Sequence, residues 1–305
     1  MVRENRGVFM NNRKNIPILL YRKTSCLLLC LLLCTAFVSA QTVNYGSFNI
    51  RYADGDRGTR YDWQNRRDTM ARFVREAELS ICGMQEVLHE QLLDLVRLLP
   101  EYDYVGVGRD DGKTRGEYSP IFFRRAEWEA LQSGTFWLSE TPDSIGSKGW
   151  DAALPRIATW AMLKSRKTKR CIICVNTHFD HVGEQARVES GRLILRMVRK
   201  IAGKLPMVLT GDFNVGMQSS VYQSIMHDPN YPLLDSFLMG AQHEGVFYSW
   251  HAFTNIKPEK CQKIDFIFVS PNVQVTRTCI PQEDRSLEPT LMSDHNPVIA
   301  TLKFK

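Results

Sequence analysis

Hydrophobic positions along the chain follow two different periods, which predict helices and strands. Apolar residues spaced three and four apart predict helices at residues 68–77, 88–99, 184–203 and 219–226. Alternating or short apolar runs predict strands at residues 43–50, 79–85, 103–107, 119–124, 157–163, 171–177, 206–211, 264–270 and 298–303. Between residues 102 and 177 the strands follow one another with few helical stretches, which favours antiparallel pairing. We therefore expect an α/β fold with two sheets packed face to face and helices outside.

The first forty residues have the pattern of a secretory signal peptide. A leader with six basic residues precedes an apolar run from Cys26 to Val38, and Val38-Ser39-Ala40 ends it. We predict cleavage after Ala40 and a secreted or periplasmic protein. The run of 13 residues is shorter than the roughly 20 that span a bilayer, and a retained N-terminal anchor is the alternative. No repeat or linker divides residues 41–305, so we expect one domain there.

The charge balance gives no sign of a nucleic-acid-binding surface. The whole chain has 39 Lys and Arg, 33 Asp and Glu and a net charge of +6. Six of these bases and one of these acids precede Gln41, so the remainder has a net charge of about +1. Proteins that bind nucleic acid through its backbone usually carry a strongly basic face. A DNA-repair enzyme is therefore disfavoured, and the predicted export disfavours it as well.

Five cysteines follow Ala40, an odd number that implies no complete disulfide framework. Cys171 and Cys174 have the spacing of a metal or redox pair. They lie in a predicted buried strand, where positions three apart face opposite ways. Buried apolar cysteines are therefore the favoured interpretation.

Polar residues recur where predicted strands end. Each has an ordinary structural explanation, as a turn former, a helix cap or a buried histidine. Together they are hard to explain in this way, because apolar runs deliver all of them to the edge of a scaffold. The set comprises Asn49, Glu86, His178, Asp180, Asp212, Asn214, Asp265, Asp294 and His295.

This set of residue types suits the hydrolysis of a phosphate ester. Oxygen ligands such as Glu86 and the Asn49 amide suit Mg²⁺ or Ca²⁺ better than zinc. Such a cation can hold a phosphoryl oxygen and offset the charge of the transition state. A carboxylate paired with an imidazole, Asp265 with His295, would fix the tautomer of the ring. Asp212 could orient or deprotonate the attacking water.

The ordered motifs SFNIR, QE, THFD, GDFN, KIDFIF and SDHNP resemble those of the endonuclease/exonuclease/phosphatase family, the DNase I-like superfamily. The resemblance extends from Val43 to Phe304. It implies a four-layer α/β/β/α sandwich of two mainly antiparallel sheets flanked by helices, with the site at one edge of the paired sheets. It also implies a divalent cation, Mg²⁺ first, with Mn²⁺ or Ca²⁺ as alternatives.

The resemblance assigns roles to the motif residues. Asn49, Glu86 and Asp294 resemble metal ligands, and Asp212 resembles the residue that positions the water for in-line attack. Asn214 is expected to bind the phosphate, and Asp265 to orient His295. His178 matches a position that stabilises the transition state or acts as a general acid.

Other segments resemble one secreted bacterial branch of the family and suggest substrate contacts. The candidate substrate-binding residues are Arg51, Glu117, Arg156, Asp180 and His251. Arginine suits bidentate recognition of phosphate, and structural ion pairing is the alternative for these residues. Trp63, Trp137 and Trp250 could line a cleft, although packing in the core is favoured.

These observations predict a metal-dependent phosphodiesterase or phosphatase. Its substrate could be a phosphorylated small molecule, a lipid head group, as in a sphingomyelinase-like phospholipase C, or nucleic acid, as in a secreted nuclease. A catalytically silent binding protein on the same fold is the non-enzyme alternative. A zinc hydrolase using His178, Asp180 and His181 is disfavoured, because residues three apart on a strand do not share a face. We expect a monomer without a protein partner.

Overall fold

The computed structural model describes residues 41–240, 242–254, 257–282 and 291–304, so the predicted signal peptide lies outside the described residues. The strands there are β1 Thr42–Asn49, β2 Ile81–Gln85, β3 Tyr102–Val105, β4 Ile121–Arg124, β5 Trp128–Trp137, β6 Ile157–Ser165, β7 Cys171–His178, β8 Met207–Asp212, β9 Leu234–Asp235, β10 His243–Gly245, β11 Asp265–Val269, β12 Val273–Ile280 and β13 Val298–Phe304. The α-helices are α1 Trp63–Glu76, α2 His89–Leu98, α3 Glu184–Ala202, α4 Ser220–Met226 and α5 Ser236–Met239. None of these helices combines the length and apolarity of a membrane span.

The described strands form two sheets. A seven-stranded sheet has the order β10-β12-β13-β1-β2-β4-β3, and a six-stranded sheet the order β5-β6-β7-β8-β11-β9. Most neighbours are antiparallel, while β1 runs parallel to β2, β7 to β8 and β10 to β12. Asn49 therefore pairs with Gln85, and Asp212 with both His178 and Asp265. The register places the ends of the motif strands at common sheet edges.

Three apolar clusters separate four layers. Val43, Tyr45 and Val208 belong to a core between the two sheets. Helices α1 and α2 cover the outer face of the seven-stranded sheet, and α3 and α4 cover the outer face of the six-stranded one. The predicted α/β/β/α sandwich is confirmed.

The structure differs from the predicted elements in physically understandable places. Helix α1 begins at Trp63, five residues before the prediction, because the Asp62 side chain caps it by accepting from Gln64 N. Arg66, inside this added turn, is fully buried and interrupts the apolar stripe. Strands β5, β9, β10 and β12 and helix α5 were not predicted. The middle of β5 is exposed on both faces, so it shows no alternation of apolar and polar residues.

The cysteines behave as buried or half-buried thiols. Cys171 and Cys174 lie on β7 as predicted, with Cys174 buried and Cys171 half-buried. Both are free thiols, as are Cys82 and Cys279.

A cluster of polar side chains joins the two sheets beneath the strand ends. We call Gln85, Asn176 and Thr210 the inter-sheet amide cluster. Asn176 Nδ2 donates across the interface to the carbonyl oxygens of Met84 (2.7 Å) and Pro120 (2.9 Å). These carbonyls fix the orientation of the amide, so Asn176 Oδ1 accepts from Gln85 Nε2 at 2.7 Å. Thr210 Oγ1 lies 3.0 Å from the same Oδ1. The cluster fixes the spacing of the sheets.

The inter-sheet amide cluster requires a glycine at position 83. A Cβ atom there would lie 2.3 Å from Thr210 Oγ1 and 2.6 Å from Asn176 Oδ1. We expect Gly83→Ala to lower the free energy of unfolding by about 1–3 kcal/mol, as overpacking of a close-packed interior does. Urea denaturation measures this change. Gly216→Ala is the matched control, because no atom lies within 4 Å of its added Cβ. Equal stability of the two variants would show that the two sheets can move apart at Gly83 without cost, and that the inter-sheet amide cluster does not fix their spacing.

Candidate active site

The strand ends of both sheets open onto one cavity of about 510 Å³. Its volume is in the range of small-molecule sites. Nine of the predicted site residues line it, and Asn49 and Asp265 lie fully buried behind the lining. The lining comprises Arg51, Tyr52, Glu86, Glu117, Leu154, Arg156, His178, His181, Asp212, Asn214, Trp250, Gln262, Ile264, Asp294 and His295.

Asn49 connects the two sheets at the floor of the cavity. Its Nδ2 donates to Glu86 Oε1 and to Asp212 Oδ2, both at 3.0 Å. Its Oδ1 accepts from Arg51 N at 3.0 Å. In this arrangement the Asn49 amide holds two carboxylates in place and directs its own oxygen away from them.

Three site residues have left-handed backbone conformations. The φ angles are +58° for Arg51, +62° for Glu86 and +51° for Asn214. Such conformations are unfavourable for residues other than glycine, least so for asparagine, and persist where the surrounding structure enforces them. Glu86 is held by Tyr52 N, which donates to Oε2 at 3.0 Å. Asn214 is held by its own N, which donates to Asp212 Oδ1 at 2.9 Å.

Asp265 and His295 form a buried ion pair. His295 Nδ1 lies 2.8 Å from Asp265 Oδ2, and both side chains are at most 5% exposed. Burial lowers the pKa of His295, but the adjacent Asp265 carboxylate outweighs it and raises the pKa to about 10. His295 is therefore a cation at neutral pH, as expected from the motif, and its Nε2 lies 3.8 Å from Asp212 Oδ2.

Asp212 is a carboxylate suited to proton transfer near neutral pH. Burial, followed by the negative charge of Asp265, raises its pKa to about 7. Hydrogen bonds from Asn49 and Asn214 oppose this rise. A general base works best when its pKa lies near the working pH, so the environment of Asp212 suits the predicted role.

His178 is a neutral hydrogen-bond donor in this site. Asn214 Nδ2 donates to Phe179 O at 3.0 Å and lies 3.1 Å from His178 Nε2. Because an amide nitrogen can only donate, His178 Nε2 must be the acceptor. The proton is then on Nδ1, which is buried and has no hydrogen-bond partner among the described residues. Burial and the charges of Arg156 and Arg109 hold the pKa of His178 well below its usual range. The two roles predicted for His178, transition-state stabilisation and general acid catalysis, stay predictions.

Side chains around Glu86 and Asp212 fit a divalent cation. Among the described residues, two groups of ligand atoms lie within 4.8 Å of one another: Glu86 with His178 and Asp212, and Asp212 with Asp265 and His295. Asp265 Oδ1 is buried without a hydrogen-bond partner in this part of the chain. Burial raises the pKa of Asp294. The charge of His295 lowers this pKa and the charge of Glu86 raises it, so that it stays above its ordinary value. This concentration of carboxylates is what a hard cation neutralises.

The predicted metal ligands Asn49, Glu86 and Asp294 lie at or behind the cavity, and their role as ligands stays a prediction. Glu86 lines the cavity, and one of its carboxylate oxygens lies within 4.8 Å of an Asp212 oxygen. The Asn49 side-chain oxygen accepts a hydrogen bond from Arg51 N. Asp294 lines the cavity beside Arg51, whose Nη1 lies 4.0 Å from its carboxylate. The zinc alternative finds no support, because neither Asp180 nor His181 joins a ligand group within the described residues.

The predicted substrate-binding residues divide into two sets. Arg51, Glu117 and Arg156 line the cavity, but Asp180 and His251 do not. Asp180 is 1% exposed, since its carboxylate accepts from the backbone N–H groups of residues 153, 154, 182 and 183 and from Arg156 Nε. It therefore positions Arg156. His251 is 3% exposed, and its N donates to Asp294 O at 3.0 Å, so its backbone supports the Asp294 loop.

Several lining residues were missed or misjudged from the sequence. Trp63 and Trp137 are buried as favoured, but Trp250 lines the cavity. Gln262 and Ile264 could have been inferred, because alternation along KCQKIDFIF places both on one face. The remaining additions are Tyr52, Leu154 and His181.

A buried arginine outside all motifs supports the site. Arg66 Nη1 donates to Ile50 O at 2.8 Å and to Met292 O at 2.6 Å. Ser293 Oγ adds a hydrogen bond to Asn49 O at 2.7 Å. These contacts tie the end of β1 to the loop that carries Asp294. A charged residue on a helix gave no sequence signal for this role.

Comparison with known proteins agrees with this geometry. The sequence model of the Endonuclease/Exonuclease/phosphatase family matches residues 46–295. The chain belongs to that family. A family member from Bacteroides vulgatus is 48% identical, with a TM-score of 0.84 over 87% of this chain and 100% of the other. The mannosyl-6-phosphatase of Bacteroides thetaiotaomicron VPI-5482 is 37% identical, with a TM-score of 0.77 over 86% of this chain and 100% of the other.

A relative with lower sequence identity matches a part of this chain. Nocturnin from Drosophila melanogaster is 22% identical over 253 residues, which is 72% of this chain. The match spans 37% of that protein's own length. Endonuclease/exonuclease/phosphatase family members are hydrolases of phosphate esters that depend on divalent metals. The predicted family and the predicted class of phosphate ester hydrolases therefore hold.

Proposed function

We propose that the protein is a secreted or periplasmic, Mg²⁺-dependent phosphatase that hydrolyses a small phosphate monoester by in-line attack of water. One observation carries the proposal. Asp212, a carboxylate able to accept a proton near neutral pH, lies between the cationic His295 and the carboxylate of Glu86 on one small cavity. We propose that the enzyme acts as a monomer.

The side chains of the chain divide the work of the reaction. Asp212 orients a water molecule and takes its proton as the water oxygen bonds to phosphorus. His295, kept cationic by Asp265, offsets the charge that grows on the phosphoryl oxygens. His178 accepts from Asn214 Nδ2 through Nε2 and so orients that amide beside Asp212. The bond from phosphorus to the leaving oxygen breaks in line with the attack, and the leaving oxygen keeps the bonding electrons and takes a proton from solvent to give the alcohol.

Glu86, with Asp212 and Asp294 beside it, would hold the cation. When bound, a divalent cation supplies a positive charge that polarises a phosphoryl oxygen. Among the described side chains, Asn49 keeps the two carboxylates Glu86 and Asp212 at a fixed spacing. Mg²⁺ prefers such oxygen donors, with Mn²⁺ or Ca²⁺ as alternatives.

Removal of divalent metal is expected to lower turnover by about 10³-fold, because a cation at a phosphoryl group contributes several kcal/mol to the transition state. Phosphate release is measured before EDTA, after EDTA, and after Mg²⁺, Mn²⁺ or Ca²⁺ is restored. Glu86→Gln should raise the Mn²⁺ concentration for half-maximal activity. Glu76→Gln, at a side chain that is 70% exposed on α1, should not. Full activity in EDTA would exclude the metal-dependent mechanism.

A small substrate is supported by the size of the cavity and by one relative. The cavity of about 510 Å³ accommodates a small phosphorylated molecule. The relative named mannosyl-6-phosphatase is 37% identical along its whole length. A near-neutral chain after residue 40 offers little general attraction for nucleic acid. A phosphorylated sugar is therefore preferred over a lipid head group or DNA.

The test offers five esters to the protein with Mg²⁺. We expect phosphate release from mannose 6-phosphate and p-nitrophenyl phosphate, and little reaction with bis-p-nitrophenyl phosphate, sphingomyelin or plasmid DNA. Faster cleavage of either diester or of DNA would replace the phosphatase with a phosphodiesterase. Mn²⁺ binding without turnover of any ester would favour a catalytically silent binding protein.

A further inference from the structure

The cavity has a second polar wall on the far side of the His178 ring. His178 Nε2 lies 3.6 Å from Asp212 Oδ2, whereas His178 Nδ1 lies 3.7 Å from Glu117 Oε2. Glu117 and Asp212 therefore face opposite edges of one imidazole. Arg156 also lines the cavity and interacts electrostatically with Glu117. The mechanism proposed above uses neither Glu117 nor Arg156.

Arg156 is held rigidly with one nitrogen to spare. Its Nε donates to Asp180 Oδ2 at 3.3 Å, and its Nη2 lies 3.0 Å from His181 Nδ1. Asp180 is itself fixed by four backbone N–H groups. Arg156 is 4% exposed, yet its Nη1 has no hydrogen-bond partner among the described residues. A buried donor of this kind is costly unless a ligand accepts from it.

Glu117 supplies a hydrogen-bond acceptor on the same wall. Arg109 Nη1 donates to Glu117 Oε2 at 2.7 Å, and Arg109 N donates to Glu117 O at 3.1 Å. The carboxylate is thus oriented from behind while it lines the cavity. Only Arg109 donates to it in the part of the chain that the structure describes.

The charges on this wall favour a neutral ligand over a second anion. The positive charges of Arg156 and Arg109 are together balanced by the carboxylates of Asp180 and Glu117. A second phosphate or a carboxylate would meet the Glu117 carboxylate and be repelled. A hydroxyl can accept from Arg156 Nη1, and a neighbouring hydroxyl can donate to Glu117. Adjacent hydroxyls of this kind occur on sugars and other polyols.

We propose that Glu117 and Arg156 form a hydroxyl subsite that binds neighbouring hydroxyl groups of the leaving alcohol. The subsite rests on the proposed phosphatase activity and gives it a substrate class: phosphate monoesters of sugars or similar polyols. Because His178 lies between the subsite and Asp212, a bound sugar would place its phosphate on the side of the reacting groups.

The test compares an ester that carries hydroxyls with one that lacks them. We expect Glu117→Gln to lower the ratio of kcat/KM for mannose 6-phosphate to kcat/KM for p-nitrophenyl phosphate by about 10-fold or more, since it removes a hydrogen bond to a charged acceptor. Arg156→Lys should lower the same ratio. The control is Glu101→Gln, which alters a Glu–Arg pair away from the cavity, where Arg75 Nε donates to Glu101 Oε1 at 2.8 Å. Its ratio should equal that of the unaltered protein.

Equal losses on both esters in Glu117→Gln, or no loss on either, would overturn the subsite. Calorimetric titration with mannose 6-phosphate in EDTA separates this failure from failure of the phosphatase. If the unaltered protein turns over neither ester, the phosphatase proposal fails, and weaker sugar phosphate binding by Glu117→Gln than by Glu101→Gln still supports the subsite. Equal binding by the two variants overturns it. Turnover of p-nitrophenyl phosphate but not of mannose 6-phosphate leaves the phosphatase standing and overturns the subsite.

Discussion

Replacement of Asp212 by asparagine is expected to lower kcat by about 10³-fold, within the range that a positioned general base contributes. The amide keeps the shape of the side chain but cannot take a proton from water. Asn214 N can still donate to the remaining oxygen, as it does to Asp212 Oδ1 at 2.9 Å. The substitution also removes the repulsion between two buried carboxylates, Asp212 and Asp265. The fold should therefore remain intact. Steady-state kinetics on the preferred ester measure the effect, and circular dichroism checks the fold.

Asp68→Asn provides the control for Asp212→Asn. The Asp68 side chain is 71% exposed on α1 and does not line the cavity. Its kcat should match that of the unaltered protein. If Asp212→Asn retains more than about a tenth of the original kcat, another group activates the water, because loss of a general base removes at least 10² of the rate.

Replacement of Asp265 by asparagine is expected to destabilise the protein by about 3–5 kcal/mol at pH 6.5, because it leaves the buried cation of His295 without its partner. Turnover should also fall by about 10–100-fold, as when the carboxylate that orients a functional histidine is lost. Thermal and urea unfolding in EDTA measure the stability. Thr177→Val, which removes a buried hydroxyl bonded to Ile157 O within one sheet, controls for the loss of an ordinary buried hydrogen bond.

The stability difference between the unaltered protein and Asp265→Asn should depend on pH. The pKa of His295 is about 10 in the folded protein, above the value of about 6.5 in an unfolded chain. The folded state therefore binds the proton more tightly. Its stabilisation is complete below pH 6.5 and is lost as the pH rises through 10. The difference should shrink over this range, and a constant difference would show that His295 is neutral in the fold.

The sequence predicted the catalytic edge better than the cavity walls. Apolar strands deliver Glu86, Asp212 and Asp265 to their places, so a local pattern reveals them. Whether Asp180 faces the cavity depends on backbone N–H groups of residues 153 and 154, which local patterns do not report.

The walls depend on contacts between distant segments. Trp250 pairs with both Gln262 and His295 through isolated bridges, and this places an aromatic residue at the cavity instead of in the core. Arg66 shows the same limitation, since its partners Ile50 and Met292 lie 16 and 226 residues away. Such residues give no periodic signal, although they determine how the strand ends meet.

The left-handed backbones of Arg51, Glu86 and Asn214 have a consequence for how this enzyme could decay during evolution. Each such residue carries a backbone penalty of about 1–2 kcal/mol, smaller for asparagine, that glycine would not carry. A glycine at position 51 or 86 would remove a functional side chain while relieving that penalty. Loss of activity at these positions therefore need not lower stability. Once selection for catalysis stops, descendants of this protein can lose the site while the sandwich persists as a well-folded binding protein.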